Sequence, residues 1–355
     1  MKTNKKLIPG NFRCNFVKLS DIILITFLLL TQAFVFSQNA SDNKCLECHK
    51  RTVKKHILHG PVADDCTSCH KPTGKKHPLE DVEGFAFLEE GANLCFTCHD
   101  QEKNAIINNK YVHKPVSRGE CTECHEVHSS NDSKLIFTKS PDLCYFCHDK
   151  IENAIEKSTV VHLPATEVDG CIGCHSPHSS PQKKLLVSKP KELCLSCHDK
   201  TLTKGDRQIT NIGKLLEESK VVHPALKKSC NACHDPHASN NKYLLTIAYP
   251  LGNYAKGTEE NYELCFGCHD TDLLLLKRTK YATEFRNGDL NLHYVHVNKE
   301  KGRTCNNCHS VHGSSRDHLI PETVKFGNWD MPLVYKSFED GGSCKGCHEE
   351  RRYTR

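Results

Sequence analysis

Residues 113–128 of the chain read HKPVSRGECTECHEVH, and residues 143–148 read LCYFCH. This stretch contains two copies of the pentad Cys-x-x-Cys-His, with one histidine before the first copy and another three residues after it. The chain has 355 residues and 23 cysteines, and every cysteine except Cys14 belongs to such a pentad. The pentad is therefore the sequence element that decides the fold.

The pentad occurs eleven times, and we number the copies motif 1 to motif 11 in chain order. Their two cysteines and their histidine are, in order, Cys45, Cys48 and His49; Cys66, Cys69 and His70; Cys95, Cys98 and His99; Cys121, Cys124 and His125; Cys144, Cys147 and His148; Cys171, Cys174 and His175; Cys194, Cys197 and His198; Cys230, Cys233 and His234; Cys265, Cys268 and His269; Cys305, Cys308 and His309; Cys344, Cys347 and His348. Two thiols at this spacing add to the two vinyl groups of one haem, and the following histidine becomes the proximal ligand of its iron. Zinc sites and disulfides are the alternatives, but neither has a use for a histidine after each pair. The pattern predicts eleven covalently bound c-type haems.

Thirteen histidines lie outside the motifs, and eleven are needed if every iron has a second histidine ligand. His318 is one of the thirteen, and the other twelve are the candidates for distal ligands: His56, His59, His77, His113, His128, His162, His178, His223, His237, His293, His296 and His312. Met331 is the only methionine after Met1, so at most one haem has a methionine ligand. Because methionine ligation raises the haem potential, the sequence predicts low-potential irons.

The order of motifs and histidines reveals a repeat. After the single motif 1, five dihaem units follow, each with an upstream histidine, a first motif, a downstream histidine and a second motif. The predicted divisions are a signal peptide at 1–37, a single-haem segment at 38–58, and dihaem units 1 to 5 at 59–112, 113–161, 162–222, 223–295 and 296–355. Unit 1 departs from the others, because His77 lies seven residues after His70 instead of three.

The spacing restricts what each distal candidate can do. A histidine three residues beyond a proximal ligand stays on the same side of that haem, so we expect it to ligate a neighbouring haem. Our hypothesis is that each unit is a haem pair held together by its own ligands. The upstream histidine has enough chain to cap the first haem of its own unit or a haem in an adjacent unit.

The predicted fold is mainly irregular, with short α-helices, few or no strands, and the haems as the core. Short helices are predicted at residues 92–108, after Ser140-Pro141, at 191–200 and at 215–219. Loops are predicted after the first motifs, at 129–132 and 179–181, with at best a short strand at 244–247. Residues 273–276 and 320–338 are the most protein-like inserts, and the leucine run of the former predicts local packing. Haems on consecutive short segments predict an elongated, solenoid-like body.

The N-terminus predicts export. Basic residues from Lys2 to Lys18 precede an apolar run at 22–36, followed by polar residues, which is typical of a cleaved secretory signal; an uncleaved inner-membrane anchor is the alternative. Without residues 1–37 the formal charge falls from +5 to +1, with the lysines scattered, so a nucleic-acid-binding stripe is excluded. Eleven ferric haems would bring the mature protein to about −10, which also excludes nucleic acid as a partner.

The unit pattern resembles the multihaem cytochromes c of the doubled-CxxCH, cytochrome c3-like class. The resemblance is carried by Val-His before the first motifs, at residues 112–113, 161–162, 222–223 and 295–296, and by His-x-x-His at 125–128, 175–178, 234–237 and 309–312. Residues 285–312, 326–329 and 341–348 resemble the C-terminal module of larger members. The resemblance implies bis-histidine haems and electron transfer in the periplasm or at the outer membrane. In some relatives it implies a conduit threaded through an outer-membrane porin.

Two functional classes fit such a chain. The first is an electron carrier that relays electrons along low-potential haems between redox proteins, with a porin-like barrel or a membrane quinol dehydrogenase as further partners. The second is a multihaem reductase or oxidase with one five-coordinate catalytic haem. An enzyme needs an open iron position, and here all eleven motifs end in histidine and the supply of distal histidines is sufficient. The sequence therefore favours the non-catalytic carrier.

Overall fold

The computed structural model describes residues 44–77, 84–205 and 207–355. The predicted signal peptide lies outside the described residues. The chain divides into two compact bodies. The first body contains the residues up to Leu88 together with Val127–Ser130, and the second body contains Glu89–Glu126 together with Asn131–Arg355.

Short α-helices carry most of the regular structure. The described residues form thirteen: α1 Cys45–His49, α2 Gly60–Asp64, α3 Ala92–Phe96, α4 Asp100–Asn108, α5 Lys114–Ser117, α6 Asp142–Tyr145, α7 Asp149–Lys157, α8 Gly170–Cys174, α9 Pro190–His198, α10 Ile212–Glu218, α11 Glu263–Phe266, α12 Asp272–Leu275 and α13 Leu292–Val297. The four regions predicted as helical are confirmed by α3 with α4, α6 with α7, α9 and α10. Helix α7 shows the reason: Ile151, Ala154 and Ile155 share one face, and acidic residues occupy its first turn.

Tighter turns of 3-10 helix connect these segments. They lie at Lys50–Val53, Cys66–Ser68, Cys121–Glu123, Leu163–Ala165, Lys183–Leu185, Pro224–Lys227, Cys230–Ala232, Lys242–Leu244, Glu260–Tyr262, Cys305–Asn307 and Asp317–Leu319. The region at 244–247, expected to be at best a short strand, instead begins at the last residue of such a turn. Leu245 then makes a single antiparallel bridge to His234.

The prediction of few or no strands is wrong, because the described residues form twenty-one very short ones. They are β1 Ile57–Leu58, β2 His70–Pro72, β3 Phe85–Phe87, β4 Tyr111–Val112, β5 Ser129–Ser130, β6 Val160–Val161, β7 Ser179–Ser180, β8 Leu202–Lys204, β9 Arg207–Ile209, β10 Val221–Val222, β11 Ala238–Ser239, β12 Tyr254–Ala255, β13 Arg286–Asn287, β14 Leu290–Asn291, β15 Gly302–Arg303, β16 Gly313–Ser314, β17 Thr323–Phe326, β18 Trp329–Pro332, β19 Val334–Phe338, β20 Gly341–Lys345 and β21 Arg351–Thr354. All their pairings are antiparallel, in nine two-stranded sheets and the three-stranded sheet β19-β20-β21. Two residues cannot show an alternating pattern, so the sequence gives no periodic signal for most of these strands.

Four of the sheets join one dihaem unit to the next. In each, the strand before an upstream histidine pairs with the strand after the downstream histidine of the following unit: β1 with β5, β4 with β7, β6 with β11 and β10 with β16. The segments at 129–132 and 179–181, predicted as loops, therefore contain β5 and β7. We call each of these four sheets a unit ladder.

Little apolar surface is buried in the described residues. Eight hydrophobic side chains are buried, and four of them form the one cluster of buried residues found there: Ile320, Val324, Met331 and Leu333. This cluster lies in the predicted protein-like insert at 320–338. In the leucine run at 273–276, Leu274 is buried and Leu275 is about half exposed, as local packing predicts. No helix among the described residues has the length and apolar character needed to span a membrane.

Candidate haem-binding sites

Motifs 1 to 10 are each wound into a helical turn, whereas motif 11 begins in strand β20. The backbone N–H of the motif histidine donates to the carbonyl oxygen of the first cysteine, at 3.0 Å in motif 5, 3.1 Å in motif 8 and 2.9 Å in motif 9. Residues three and four positions apart lie on the same face of such a turn. The turn therefore presents both thiols and the imidazole to one side, as covalent attachment and proximal ligation of one haem require.

The second cysteines of motifs 1 to 3 lie on turns of this kind. The backbone N–H of Cys69 donates to the carbonyl oxygen of Cys66 at 3.3 Å, and that of Cys98 donates to the carbonyl oxygen of Cys95 at 3.2 Å. Cys48 lies within helix α1. Cys48 and Cys98 are exposed, whereas Cys69 is half-buried. The turn suits covalent attachment, and the haem bonds expected at Cys48, Cys69 and Cys98 stay a prediction.

The exposure of the second cysteine follows the repeat. In the second motif of every unit this cysteine is exposed, and in the first motif it is half-buried. The exposed residues are Cys98, Cys147, Cys197, Cys268 and Cys347, and the half-buried ones are Cys69, Cys124, Cys174, Cys233 and Cys308. Cys48 is exposed, so motif 1 resembles the second motif of a unit.

The cysteines and histidines are not arranged as in the alternative sites. No disulfide bond joins the twenty-two cysteines of the described residues. Within the same part of the chain, no three His, Cys, Asp or Glu side chains converge as they would around a zinc ion. The recurring arrangement is instead a pair of imidazole rings.

The second body contains eight pairs of imidazole rings, each joining a motif histidine to a histidine outside the motifs. Their ring centres are 5.8–6.4 Å apart, in the pairs His148–His113, His125–His178, His198–His162, His175–His237, His269–His223, His234–His312, His309–His293 and His348–His296. A histidine nitrogen binds a metal at about 2 Å, so two rings on opposite sides of one iron have centres about 6 Å apart. The spacing fits bis-histidine haem.

The first body contains two more pairs. The ring centres of His49 and His77 are 6.0 Å apart, and those of His70 and His128 are 6.3 Å apart. His77, the histidine that departs from the repeat spacing, therefore lies opposite the proximal histidine of motif 1. A Cβ on Gly84 would lie 2.6 Å from the Cβ of His77, so this glycine leaves the space that the His77 side chain needs.

The pairs correct our expectations about which histidine serves which motif. In units 2 to 5 the upstream ring lies opposite the second motif of its own unit, as His113 does with His148, and not opposite the first. In units 2 to 5 the downstream ring lies opposite the first motif of the preceding unit, as His178 does with His125. The downstream ring thus lies opposite a motif of another unit, whereas our hypothesis of units held by their own ligands placed it inside its own unit. The ligation itself stays a prediction.

The unit ladders explain why the downstream histidine of one unit pairs with a motif of the preceding unit. The N–H of each upstream histidine donates to the carbonyl oxygen of the downstream histidine in the next unit: His59 to His128 at 3.0 Å, His113 to His178 at 2.8 Å, His162 to His237 at 2.9 Å and His223 to His312 at 3.0 Å. The ladder thus fixes two candidate ligands side by side on the backbone. One comes from the unit itself and the other from the unit that follows.

At unit 5, helix α13 takes the place of a unit ladder. His293 and His296 lie three residues apart on this helix and pair with His309 and His348, the histidines of motifs 10 and 11. Asn291 caps the helix: it is fully buried, and its Oδ1 accepts from the N–H of His293 at 2.9 Å and of Tyr294 at 3.2 Å. The sequence identified His293 as a candidate ligand, but it did not predict that its ring would pair with that of His309.

The substitution Asn291→Ala is expected to loosen α13. It removes the N-cap and leaves two buried N–H groups without their acceptor, at a cost of about 1–2 kcal/mol. Hydrogen exchange followed by mass spectrometry should show the amides of residues 292–296 exchanging about tenfold faster. Asn287→Ala, in the preceding hairpin at an exposed position, is the matched control and should leave the exchange of α13 unchanged. Equal exchange in the two variants would show that Asn291 does not stabilise the helix as its N-cap.

Backbone carbonyl groups orient the proximal rings. In the first motifs of units 2 to 5, the Nδ1 atom is hydrogen-bonded at 2.8–2.9 Å to a carbonyl oxygen nine residues later, that of Lys134, Lys184, Tyr243 and His318 respectively. The bond fixes the ring and leaves Nε2 for a metal. The residue after each carbonyl is a leucine with φ of +55° to +58°, in the left-handed region. Sequence reasoning missed these turns.

Burial keeps several candidate ligands neutral. Burial and, to a smaller extent, the neighbouring histidines lower the pKa of His293 and of His312 to about 4. Burial likewise lowers the pKa of His113, His198 and His237. The neutral imidazole is the form that binds a metal, so these rings are in the correct protonation state at neutral pH.

Between the units of the second body, the first cysteines of adjoining motifs touch. The thiols of Cys144 and Cys171, of Cys194 and Cys230, and of Cys265 and Cys305 are hydrogen-bonded to each other. These bonds raise the pKa of the first thiol in each pair and lower that of the second. Cys45 and Cys66, of motifs 1 and 2 in the first body, are hydrogen-bonded in the same way.

Within the units of the second body, the second cysteine of the first motif lies near the cysteines of the second motif. Burial and then the neighbouring cysteines raise the pKa of these thiols: Cys124 beside Cys147, Cys174 beside Cys197, Cys233 beside Cys265 and Cys268, and Cys308, to about 12, beside Cys344 and Cys347. Motifs 4 to 11 are therefore neighbours in space in the order in which they follow along the chain.

Three remaining candidates lie elsewhere. Met331 is 5% exposed and packs in the apolar cluster with Val324 and Leu333. His318 occupies the turn position of Lys134 and Lys184, and its ring meets the edge of Tyr335. His56 is at an exposed position just before β1.

The comparison with protein families agrees with this arrangement. A family model described as the doubled CXXCH motif matches residues 59–104, 113–153, 162–203 and 223–273, together just over half of the chain. The chain belongs to the doubled CXXCH family. Its motifs are those of a multihaem c-type cytochrome that carries covalently bound haems and functions in electron transfer. Each match begins at an upstream histidine, and motif 1 and unit 5 lie outside the matched residues. No curated protein significantly matches the chain.

Proposed function

We propose that the chain is an exported eleven-haem cytochrome that relays electrons between redox proteins and has no catalytic haem. The observation that carries the proposal is the set of ten imidazole pairs, each with the spacing that two ligands of one iron require. A bis-histidine haem takes up and releases one electron at its iron without binding substrate. In the following we number each haem by its motif.

The residues fit the group. In haem 6, for example, Cys171 and Cys174 would supply the thioether bonds, His175 the proximal nitrogen and His237 the distal nitrogen. The scarcity of buried hydrophobic side chains in the described residues supports a core made of haem. Ten of the thirteen histidines outside the motifs serve as distal ligands in this assignment.

The cysteine contacts support a relay in chain order. Each thioether sulfur lies at the edge of its porphyrin, so the touching sulfurs of Cys144 and Cys171 would hold haems 5 and 6 edge to edge. Cys174 and Cys197 would do the same for haems 6 and 7. Since the contacts continue from motif 4 to motif 11, electrons would pass from each haem to its neighbour in sequence.

Ligand saturation of ten motifs supports the non-catalytic function. A reductase or oxidase needs one iron with an open position, and the ten pairs leave none among their own motifs. The reductase remains the alternative that a spectrum distinguishes. The native reduced protein should be wholly low-spin and should not bind carbon monoxide; strong carbon monoxide binding would favour the enzyme.

Export and partners belong to the same proposal. The basic and apolar segment of residues 1–37 supports export to the periplasm or the outer membrane. The acidic surface charge expected of the loaded protein, about −10, suits small transient interfaces with redox proteins. A porin-like barrel and a membrane quinol dehydrogenase are the proposed membrane partners. Cell fractionation, followed by identification of what co-migrates with the cytochrome, tests these assignments.

The haem count is the direct test of the proposal. We expect the intact mass of the exported protein to exceed that of the mature polypeptide by eleven haem masses, because the sequence contains eleven complete motifs. A cysteine-to-serine change of both cysteines in one motif, such as Cys344→Ser with Cys347→Ser, should lower the count by one. A wild-type protein with ten haems or fewer would show that a motif is idle.

A further inference from the structure

One distal candidate has a different partner from the others. The Nδ1 atom of His178 lies 2.8 Å from the Oε1 atom of Glu102, a residue of helix α4. The ring of His178 is paired with that of His125, so it belongs to haem 4. A carboxylate therefore accepts the Nδ1 proton of a proposed iron ligand.

Most of the other described hydrogen bonds from the Nδ1 atoms of the paired histidines go to neutral acceptors. His162 bonds the carbonyl oxygen of Pro236 at 2.9 Å, and His296 bonds that of Leu292 at 2.7 Å. His237 has Asp235 at 3.9 Å, which is too far for a hydrogen bond. The Oδ1 atom of Asp235 instead accepts the backbone N–H groups of His237 and Ala238. Haem 4 thus has an ionic acceptor that haem 6 lacks.

The repeat shows which residue makes the difference. Helices α4 and α7 both follow a second motif, and aligning His99-Asp100 with His148-Asp149 places Glu102 opposite Ile151. The two helices occupy equivalent places, because α4 packs against β7, which follows His178, and α7 packs against β11, which follows His237. The carboxylate is therefore a property of one repeat and not of the fold.

We propose that Glu102 is a positioning residue that lowers the reduction potential of haem 4 through His178. A carboxylate that accepts the Nδ1 proton gives the imidazole anionic character, and the ferric iron gains more from such a ligand than the ferrous iron does. The electron-poor state is stabilised, so haem 4 accepts an electron less readily than haem 6. This inference rests on the proposed bis-histidine ligation.

The test is a pair of opposite substitutions in the full-length, haem-loaded protein. Glu102→Gln keeps the shape and a neutral acceptor, and should raise the potential of one haem so that its reduced-to-oxidised ratio increases about tenfold at fixed potential, or about 59 mV for one electron. Ile151→Glu introduces a carboxylate at the equivalent position and should lower the potential of haem 6. Potentiometric titration followed by absorbance and by electron paramagnetic resonance measures both, because the g values of the affected low-spin haem also change.

Glu123→Gln is the matched control. Glu123 lies at an exposed position between the two cysteines of motif 4, so this change removes the same charge near the same haem without touching His178. An equal shift in Glu123→Gln and Glu102→Gln would show that any loss of negative charge near the haem has this effect, and would overturn the inference. A high-spin haem in Glu102→Gln would also overturn it, because the substitution would then have broken the ligation of haem 4 instead of shifting its potential. Eleven low-spin haems with unshifted potentials would reject the role of Glu102 and leave the proposed ligation intact.

Discussion

Removal of haem 6 is expected to slow electron transfer along the chain by orders of magnitude. The triple variant Cys171→Ser, Cys174→Ser, His175→Ala deletes the proposed haem of motif 6, whose cysteines adjoin Cys144 on one side and Cys197 on the other. Tunnelling rates fall exponentially with the separation of donor and acceptor. A gap of one haem in a sequential row therefore has a far larger effect than a change of potential at one site.

The measurement requires an electron donor and an acceptor at known places. A photosensitiser attached at Arg351→Cys would lie three residues after His348, and an electron acceptor attached at Arg118→Cys would lie three residues before Cys121. Both positions are exposed. Transient absorption then gives the rate at which the acceptor is reduced after a flash, in the wild-type background and in the triple variant.

The control is His237→Ala, which removes one proposed ligand of haem 6 but leaves the haem covalently attached. Its transfer rate should stay much closer to that of the wild type, because the edge contacts remain. Intact mass should confirm ten haems in the triple variant, and circular dichroism should show that it is folded. A folded ten-haem protein that transfers electrons at the wild-type rate would contradict the sequential row and favour a cluster with detours.

The motifs, the repeat and the short helices could be predicted from the sequence because each has a local cause. A pentad needs only a single helical turn, and helix α7 needs only one apolar face and an acidic first turn. The twelve distal candidates could also be predicted from the sequence alone, because they followed from counting histidines. Ten of those twelve, all except His56 and His59, are among the described ring pairs.

The assignment of ligands to motifs could not be predicted, because it depends on pairing between units. A ladder such as Val112 with Ser179 contains two residues on each strand, and two residues carry no periodic pattern. The downstream histidine is close in sequence to the first motif of its own unit, which made a pairing inside the unit the natural hypothesis. The strand that follows the histidine instead joins the preceding unit and takes the histidine with it.

The turns that orient the proximal rings left a signal that could have been used. In units 2 to 5 a serine is followed five residues later by a leucine, at Ser130, Ser180, Ser239 and Ser314. These serines are buried, and the hydroxyl groups of the last three donate to the carbonyl oxygen six residues later. Comparing the repeats with each other would have revealed the spacing, but not the left-handed leucine or the carbonyl that meets the imidazole.

The substitution His237→Ala is expected to convert one haem of the eleven from low-spin to high-spin. Alanine keeps the backbone carbonyl that accepts the N–H of His162, so the ladder remains while the ring opposite His175 is lost. Electron paramagnetic resonance of the oxidised protein should show a new high-spin signal, and the reduced protein should bind one carbon monoxide. His162→Ala should have an effect of the same size on haem 7, because its ring lies opposite His198.

The identity of the altered haem separates the two possible assignments of His237. Adding Cys171→Ser and Cys174→Ser to His237→Ala should abolish the high-spin signal, because haem 6 is then absent. Adding Cys265→Ser and Cys268→Ser instead removes haem 9, the second haem in the unit of His237 itself, and should leave the signal in place. The reverse result would mean that the downstream histidine binds inside its own unit. In that case the unit ladders would join neighbouring units through the backbone alone, and the ring pair of His175 and His237 would not be a pair of ligands.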